Sequence, residues 1–316
     1  MDLLQALKFV SGAVATTDYV PALQHVSIAG GRIRAFNGHV ALSCPCPLDL
    51  QCAPRADLFG KAIAACTDVA QLSLEADGRL CVHSGAFRAF VPCAVDTFPN
   101  VQPEGDWLPI AFGQKLLEAI ATLEPFVSRA TDKPWANGIL LAATSAFATN
   151  NTTLIEYWVG EKLPQVCIPL AAVKELLRVK MLPEKIQASD RAITFHFPGN
   201  AWMRAALAPT SWPASLSILL SRQSSGKEWC ETNAAFFQAL EQIKTVSNEN
   251  LLVFSKDKLS VTMAEVNLPG IPEGPRFSLQ QLLALKDVAI AIDFGAYPEP
   301  CGFCGQHTRG VIMGKL

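Results

Sequence analysis

The sequence of 316 residues is half hydrophobic and only 17% charged, with a formal net charge of −2. This composition provides ample apolar surface for packed cores and excludes a disordered chain. The near-neutral charge excludes a generally basic nucleic-acid-binding protein. No apolar run approaches the roughly 18 residues of a membrane span. The start of the chain lacks the basic and apolar regions of a signal peptide, so we expect a cytoplasmic protein without membrane contact.

The ten cysteines are scattered along the chain, and many lie in apolar patterns. A chain of this length without a signal peptide is expected in a reducing compartment, where free thiols are more common than disulfides. We therefore predict buried thiols.

One short pattern recurs three times: FVS at residues 9–11, FVS at 126–128 and TVS at 245–247. Each copy ends a stretch in which apolar residues recur at intervals of three and four, as on one face of a helix. A repeat of this length predicts three similar domains. We place them at residues 1–107, 108–213 and 214–316.

Each repeat continues with the same order of predicted elements. Alternating strands follow the first helix, then come a second helix and a closing hairpin. Asn37-Gly38 is a strong hairpin turn in the first repeat. Pro54 and Pro169 fit the first turn of the second helices, and Thr232 or Asn233 fits an N-cap in the third repeat. Helices on antiparallel sheet predict an α+β fold.

Four segments resemble a known family. Residues 131–140 (TDKPWANGIL) are similar to D-x-R-P-x-L-x-G-I-L in the bacterial DNA sliding clamp, the β subunit of DNA polymerase III. Residues 147–151 (FATNN) resemble its V-A-T-D-G segment, and residues 167–176 (CIPLAAVKEL) resemble a V-P-x-K…E-L helix start. The ending VIMGKL at 311–316 looks like V-M-P-M-R-L. The resemblance covers essentially the whole chain and fits a divergent, phage-encoded form.

The resemblance implies a non-catalytic ring that needs no cofactor and encircles duplex DNA. Two copies would join head to tail as a homodimer, with helices lining the hole. Lys and Arg on the helices would then make weak contacts with phosphates, independent of sequence. The candidate DNA-binding residues on the helices are Lys8, Lys61, Lys115, Lys174, Arg178, Lys180, Lys244 and Lys286, and Arg129 and Lys133 are additional candidates in the loop after the first helix of the second domain. The alternative for each is an ordinary solvated helix face.

The resemblance also implies a pocket that binds short linear peptides of the DNA polymerase, the clamp loader and repair proteins. The candidate pocket residues are Thr149, Asn151, Thr152, Thr153, Leu154, Pro213, Ile218, Val311, Ile312 and Met313. Residues 151–154 (NTTL) stand where the family has G-H-R-L, and no basic residue follows Pro213 directly. Peptide preference is therefore expected to differ. The alternative is that the apolar members belong to the core.

Ring closure in the family joins edge strands of the first and third domains. The corresponding candidates here are Trp107 and Leu108 at the end of the first domain, and Val266 and Leu268 in the third. An unpaired exposed edge is a liability, so pairing between two copies is physically sensible.

Other chemistry has little support in the sequence. Cys301-Gly302-Phe303-Cys304 with His307 has the look of a zinc knuckle, but no second cysteine pair follows at a matching spacing. We expect no metal and a cysteine-bearing hairpin loop at this point. Phosphate-binding, dinucleotide-binding and nucleophile motifs are not found. Two alternatives to a sliding clamp stay open: a clamp-fold decoy or regulator that does not encircle DNA, and an unrelated α+β enzyme.

Overall fold

The computed structural model describes residues 2–17, 20–111, 113–130, 132–207, 211–222 and 229–316. The chain divides into two compact units, each built from two stretches of sequence. Unit 1 consists of Met1–Gln114 and Ala171–Pro209, and unit 2 of Lys115–Leu170 and Thr210–Leu316. The middle third of the sequence therefore contributes to both units. The three sequence domains at 1–107, 108–213 and 214–316 stay a prediction.

The helices are separated by groups of antiparallel strands, as expected for the predicted α+β fold. Within the described residues the helices are α1 (Leu3–Val10), α2 (Ala56–Ala64), α3 (Gly113–Leu123), α4 (Leu170–Val179), α5 (Ala214–Arg222), α6 (Ala234–Val246) and α7 (Leu279–Ala284). The strands are β1 (Ser27–Ala29), β2 (Arg32–Phe36), β3 (Val40–Pro45), β4 (Gln71–Leu74), β5 (Leu80–Ser84), β6 (Phe87–Val91), β7 (Asp106–Pro109), β8 (Gly138–Ala142), β9 (Ser145–Thr149), β10 (Thr153–Trp158), β11 (Val166–Pro169), β12 (Lys185–Ala188), β13 (Ala192–Phe197), β14 (Ala201–Ala206), β15 (Trp229–Glu231), β16 (Leu251–Ser255), β17 (Lys258–Val261), β18 (Ala264–Asn267), β19 (Arg276–Ser278), β20 (Ala291–Asp293), β21 (Cys301–Cys304) and β22 (Thr308–Ile312).

Each unit contains one large and one small antiparallel sheet. Unit 1 has a seven-stranded sheet in the order β1-β2-β3-β14-β13-β12-β7 and a three-stranded sheet β4-β5-β6. Unit 2 has an eight-stranded sheet in the order β11-β8-β9-β10-β22-β21-β20-β15 and a four-stranded sheet β18-β17-β16-β19. The fold is α+β, as predicted.

The large sheets are joined in the same way. In unit 1, β3 pairs with β14, with Leu42 opposite Met203. In unit 2, β10 pairs with β22, with Leu154 opposite Val311. In both cases the third strand after the first helix of one sequence repeat (α1 or α3) pairs with the last strand of the next repeat. This pairing carries each sheet across a repeat boundary.

Several helix starts follow from local capping. Asp2 accepts a hydrogen bond of 2.7 Å from the backbone N–H of Gln5, and the Gln5 side chain returns one to the Asp2 N–H. This reciprocal capping box fixes the start of α1. Of the two N-caps predicted for α6, Asn233 caps the Phe236 N–H. Thr232 instead donates to the carbonyl oxygen of Ala289.

The structure differs from the sequence-based expectations at three points. Pro54 and Pro169 lie in extended segments just before α2 and α4 rather than inside the first turn. Cys301 and Cys304 lie in strand β21 between β20 and β22, so the expected hairpin loop at this point was wrong. Helix α5 was not predicted at all.

Phenylalanines are the largest fully buried side chains in the cores. In unit 2 the ring centroids of Phe254, Phe277 and Phe294 lie 4.9 to 5.7 Å apart, with all three side chains buried. In unit 1, Phe9 of α1 meets Phe197 of β13 edge to face at 6.1 Å. The Phe9–Phe197 contact holds α1 against the seven-stranded sheet. In unit 2, Phe236 of α6 contacts Phe294 of the cluster, and α7 contacts β19, which carries Phe277.

Candidate partner groove and basic helix surfaces

The predicted peptide pocket is centred on the junction between β10 and β22 in unit 2. Leu154 lies opposite Val311 and Thr153 lies opposite Ile312. Successive strand residues face opposite sides of a sheet. Leu154 and Val311 therefore share one face, whereas Thr153 and Ile312 point to the other. Only the first pair can line a groove on that face, and Ile312 belongs to the core beneath.

Helix α5 covers this face of the junction. Leu154, Val311 and Leu220 form a buried apolar cluster, against which further residues pack. We call the whole set the groove cluster; its other members are Phe147, Trp212, Leu216 and Leu219. Leu154 and Val311 are each only 3% exposed. Leu154 and Val311, which were predicted as walls of the pocket, therefore lie side by side and pack against α5.

Helix α5 supplies groove residues that were not predicted. Leu216, Leu219 and Leu220 have the spacing i, i+3 and i+4, which is typical of one apolar helix face, and Trp212 lies just before the helix. That spacing could have revealed the helix. Ile218, which was predicted as a wall, is 50% exposed. It lies about half a turn around α5 from Leu216 and Leu220, on the other side of the helix.

The loop between β9 and β10 forms one rim of the groove. The Asn150 side chain accepts hydrogen bonds from the backbone N–H groups of Thr152 and Thr153, at 3.1 and 2.8 Å. Thr149 donates to the Thr153 carbonyl oxygen at 2.8 Å. The Met313 N–H donates to the Thr152 carbonyl oxygen at 2.7 Å. The rim is therefore well defined, and Asn151 is its exposed tip, with a left-handed φ of 72°.

A small cleft continues the groove beyond the end of α5. It has a volume of about 130 Å³ and is lined by Leu220, Trp229, Gly302, Phe303, Cys304, Arg309 and Gly310. Arg309 is held at its edge by Glu156, with Nε 2.6 Å from the carboxylate. A cleft of this size holds a single side chain.

Three of the ten candidate DNA-binding residues have partners within their own unit. Arg178 contacts the Glu175 carboxylate and donates to the carbonyl oxygens of Lys8 and Phe9 at 2.9 and 2.6 Å. Lys286 lies 2.6 Å from the carboxylate of Glu241. Arg178 therefore fastens α4 to the end of α1, and Lys286 links the turn after α7 to α6.

The third of these residues, Lys115, stands over an aromatic ring. Its Nζ lies 4.3 Å from the ring centroid of Trp158, which is a cation–π distance. Within the described part of the chain, the other candidates make no ion pair. They are exposed or half-buried: Lys8, Lys61, Arg129, Lys133, Lys174, Lys180 and Lys244.

The candidate interface residues lie at the ends of two sheets. Trp107 and Leu108 are in β7, which ends the seven-stranded sheet beside β12. Val266 is in β18, which ends the four-stranded sheet beside β17, and Leu268 follows directly. Each strand has a sheet neighbour on one side only among the described strands.

The exposed ring of Trp107 shields a histidine. Its ring centroid lies 4.5 Å from that of His196, and the Lys185 Nζ lies 4.5 Å from the Trp107 centroid. Burial, and secondarily the charge of Lys185, lower the pKa of His196 to about 4. His196 is therefore neutral near pH 7.

The described residues hold no group of three or more His, Cys, Asp or Glu side chains arranged to bind a metal ion. Burial is the main cause that raises the pKa of the Cys301 thiol to about 12, so the thiolate that a metal would need is disfavoured. No helix in the described part of the chain is long and apolar enough to span a membrane.

Comparison with known proteins gives matches at the level of structure alone. No family model and no curated protein matches this sequence. The beta sliding clamp of C. crescentus is similar in structure, with a TM-score of 0.84 and 19% identity over 99% of this chain and 97% of that one. The DNA polymerase sliding clamp of Pseudomonas aeruginosa gives a TM-score of 0.84 at 18% identity, with the same coverage. That of Bacillus subtilis gives 0.80 at 16% identity, again covering 99% and 97%. The chain has the fold of the bacterial DNA polymerase III beta sliding clamps over its whole length.

Proposed function

We propose that this protein is a DNA sliding clamp: a non-catalytic ring of two copies that encircles duplex DNA and tethers partner proteins. The observation that carries the proposal is the repeated junction in the large sheets, β3 with β14 and β10 with β22. The same antiparallel strand pairing joins the first repeat to the second and the second repeat to the third. The clamp-like fold of the whole chain supports the same reading.

The repeat also suggests how two copies would join. β18 is the third strand after α6, as β3 is after α1 and β10 is after α3, and β6 closes the first repeat as β14 and β22 close the next two. Among the described strands, β6 pairs only with β5 and β18 only with β17. In each copy the outer edges of β6 and β18 are therefore unpaired among the described strands. In a head-to-tail dimer, β6 of each copy would pair with β18 of the other.

The side chains at these edges carry opposite charges, and each is already paired within the same copy: Arg79 with Asp77, Arg88 with Glu75 and Glu265 with Lys258. Phe90 on β6 is 42% exposed, and the guanidinium groups of Arg79 and Arg88 lie 4.8 and 5.3 Å from its ring centroid. β18 presents the exposed Glu265. Because β6 is equivalent to β14 and β22, we favour it over β7 as the partner of β18. The predicted Trp107–Leu108 edge stays as the alternative, with Val266 and Leu268 unchanged on the other side.

For DNA, the proposal relies on the basic side chains that have no ion pair within the described residues. Lys8 and Lys174 lie on helices that Arg178 ties together, and Lys180 follows the second of them. Contacts of this kind are long-range, independent of sequence and weakened by salt. A clamp needs such weak contacts because tight binding would stop sliding.

For partners, the proposal assigns linear peptides of the DNA polymerase and the clamp loader to the groove cluster. A sliding clamp of Bartonella birtlesii has been solved bound to griselimycin, and that of C. crescentus with PEG. The groove in this chain has apolar walls and a few backbone polar groups, as ligand sites commonly do. Such a clamp would act in the cytoplasm of a bacterial cell or of a phage-infected host.

Mass in solution with particle imaging tests the proposal directly. We expect a dimer at micromolar concentration and ring-shaped particles. On nicked circular DNA, bound protein should survive gel filtration and be lost when the DNA is linearised. A protein that is strictly monomeric with and without DNA contradicts the ring. It would favour the alternative of a clamp-fold regulator that only binds peptides.

A further inference from the structure

The seven-stranded sheet of unit 1 contains a counterpart of the groove in unit 2. At the start of β3, the Val40 N–H donates to the Asn37 side chain at 2.9 Å, as the Thr153 N–H at the start of β10 donates to Asn150 at 2.8 Å. Aligned at these residues, the strand registers make three pairs of positions equivalent: Arg34 with Phe147, Ala41 with Leu154, and Arg204 with Val311. Two apolar positions of the groove cluster are therefore arginine positions in unit 1.

A third arginine lies on the same face of this sheet. Successive strand residues point to opposite sides, so Arg32 and Arg34 of β2 share a face with Arg204 of β14. Helix α1 packs on the other face, where Phe9 contacts Phe197. We call the side that carries Arg32, Arg34 and Arg204 the arginine face.

The arginine face has more positive charge than its neighbours neutralise. Arg204 lies 3.0 Å from the carboxylate of Glu104. Arg32 and Arg34 form no ion pair within the described part of the chain. They donate at 2.9 to 3.2 Å to neutral oxygens only, which belong to Ser43, Asn200 and Asn100. Two of the three positive charges therefore lack an anion.

Several donors on this face also lack an acceptor. The Nε atoms of Arg34 and Arg204 are buried and have no hydrogen-bond partner among the described residues. The same holds for the hydroxyl of Thr194, which lies opposite Arg204 on β13 and is 0% exposed. Burial, and secondarily the charge of Arg34, lower the pKa of Arg32, as expected where like charges meet without a counterion. Buried polar groups are normally paired, so this face is incomplete without a ligand.

We propose that the arginine face binds an acidic linear segment of a partner protein, with its carboxylates beside Arg32 and Arg34. Two residues apart on one strand, these side chains present their guanidinium groups about 7 Å apart, which matches alternate carboxylates of an extended peptide. Glu104, paired with Arg204, shows the same chemistry within the chain. Arg32 and Arg34 are half-buried and so partly accessible. The site lies within unit 1 and requires neither a ring nor the groove in unit 2.

The test uses a labelled short poly-glutamate peptide as the probe, titrated against the full chain. Arg34→Gln should weaken its binding by at least about tenfold, as expected when one member of a close charge pair is removed. Arg34→Lys keeps the charge but loses the planar fork, and should weaken binding less. Arg55→Gln is the matched control, because it removes an exposed arginine of the same unit, and should bind like the unaltered chain.

A stability measurement separates a binding role from a structural one. Without peptide, Arg34→Gln should leave the urea unfolding midpoint unchanged or raise it, since an uncompensated charge is removed. A lower midpoint would show that Arg34 serves folding and would overturn the inference. Addition of the peptide should raise the midpoint of the unaltered chain and of Arg55→Gln, but not that of Arg34→Gln.

The remaining outcomes are equally decisive. Equal affinities for the unaltered chain and Arg34→Gln overturn the inference. Equal weakening by Arg34→Gln and Arg55→Gln would show only a general attraction of charges, which also overturns it. A single-stranded oligonucleotide that binds more tightly than the peptide, and only when Arg34 is present, would identify phosphate as the ligand in place of an acidic peptide. A monomer in solution would overturn the ring and leave these results unaffected.

Discussion

Arg178 on α4 donates a hydrogen bond of 2.6 Å to the carbonyl oxygen of Phe9 at the end of α1. It also contacts the carboxylate of Glu175, whose side chain is only 9% exposed. The last carbonyl groups of a helix have no partner within it, and a cation at that end is favourable. Arg178 therefore satisfies α1 and neutralises a buried carboxylate at once.

Replacing Arg178 should destabilise unit 1 rather than weaken DNA binding alone. Arg178→Ala leaves Glu175 buried without a cation, which we expect to cost about 2–3 kcal/mol. Lys174→Ala, one position before Glu175 on the exposed side of α4, should change stability by less than about 0.5 kcal/mol. Urea unfolding midpoints measure both. A similar midpoint for the two variants would show that Arg178 is an ordinary surface residue.

Gly12 should be required for the approach of Glu175. A Cβ at position 12 would overlap the Glu175 carboxylate. Gly12→Ala should therefore lower the unfolding midpoint by displacing the Glu175 carboxylate from its place beside Arg178. Gly60 in α2 has nothing within 4 Å of an added Cβ. Gly60→Ala should be neutral or stabilising by up to about 1 kcal/mol, because alanine favours a helix. Equal unfolding midpoints for Gly12→Ala and Gly60→Ala would show that the space beside Glu175 is not the reason for a glycine at position 12.

Charge reversal on α4 tests the proposed DNA surface. Lys174→Glu with Lys180→Glu should reduce retention on circular DNA and flatten its dependence on salt, since fewer counterions are released. Glu241→Lys serves as the control, because it reverses a charge of the opposite sign on α6, where Glu241 pairs with Lys286. This variant should not reduce retention. Gel filtration of complexes at several salt concentrations gives the measurement. Unchanged retention in the double variant would count against α4 facing DNA.

Ring closure through β6 predicts a difference between two similar side chains of one small sheet. Phe90 on β6 and Leu74 on β4 are 42% and 49% exposed. Phe90→Asp should weaken dimerisation by at least about tenfold, as expected for a central apolar contact. Leu74→Asp, at the other edge of the sheet, should leave it unchanged. Sedimentation at several concentrations distinguishes them. Weakening by Trp107→Asp instead of Phe90→Asp would favour the sequence-based edge at β7.

Acid should destabilise the chain partly through His196. Its pKa is about 4 in the folded protein and near 6.5 when unfolded, so the unfolded state binds the proton first as pH falls. The stabilising effect of keeping His196 neutral is present above pH 6.5 and is lost progressively down to about pH 4. His196→Gln should reduce the fall in the urea midpoint between pH 7 and 5. An equal fall in both proteins would contradict this origin of the pH dependence.

The sequence by itself determined the local elements and their order. The N-cap of α6, the turn at Asn37-Gly38 and the apolar spacing of α1 and α6 are encoded within a few residues, so periodicity and capping chemistry suffice to predict them. The threefold repetition likewise needs no structure. It supported the α+β class and the resemblance to the sliding clamps, whose fold the chain shares.

Only the tertiary structure decided which repeats share a sheet and which side chains are available. Pairing of β10 with β22 joins residues more than 150 positions apart, as Glu156 and Arg309 illustrate, and no local pattern encodes such a register. Arg178 and Lys174 look alike in the sequence, yet the first is bound to α1 and the second is exposed. The groove walls Leu154 and Val311 were found by resemblance, but their coverage by α5 depends on long-range apolar packing, which is non-directional and leaves little trace in sequence spacing.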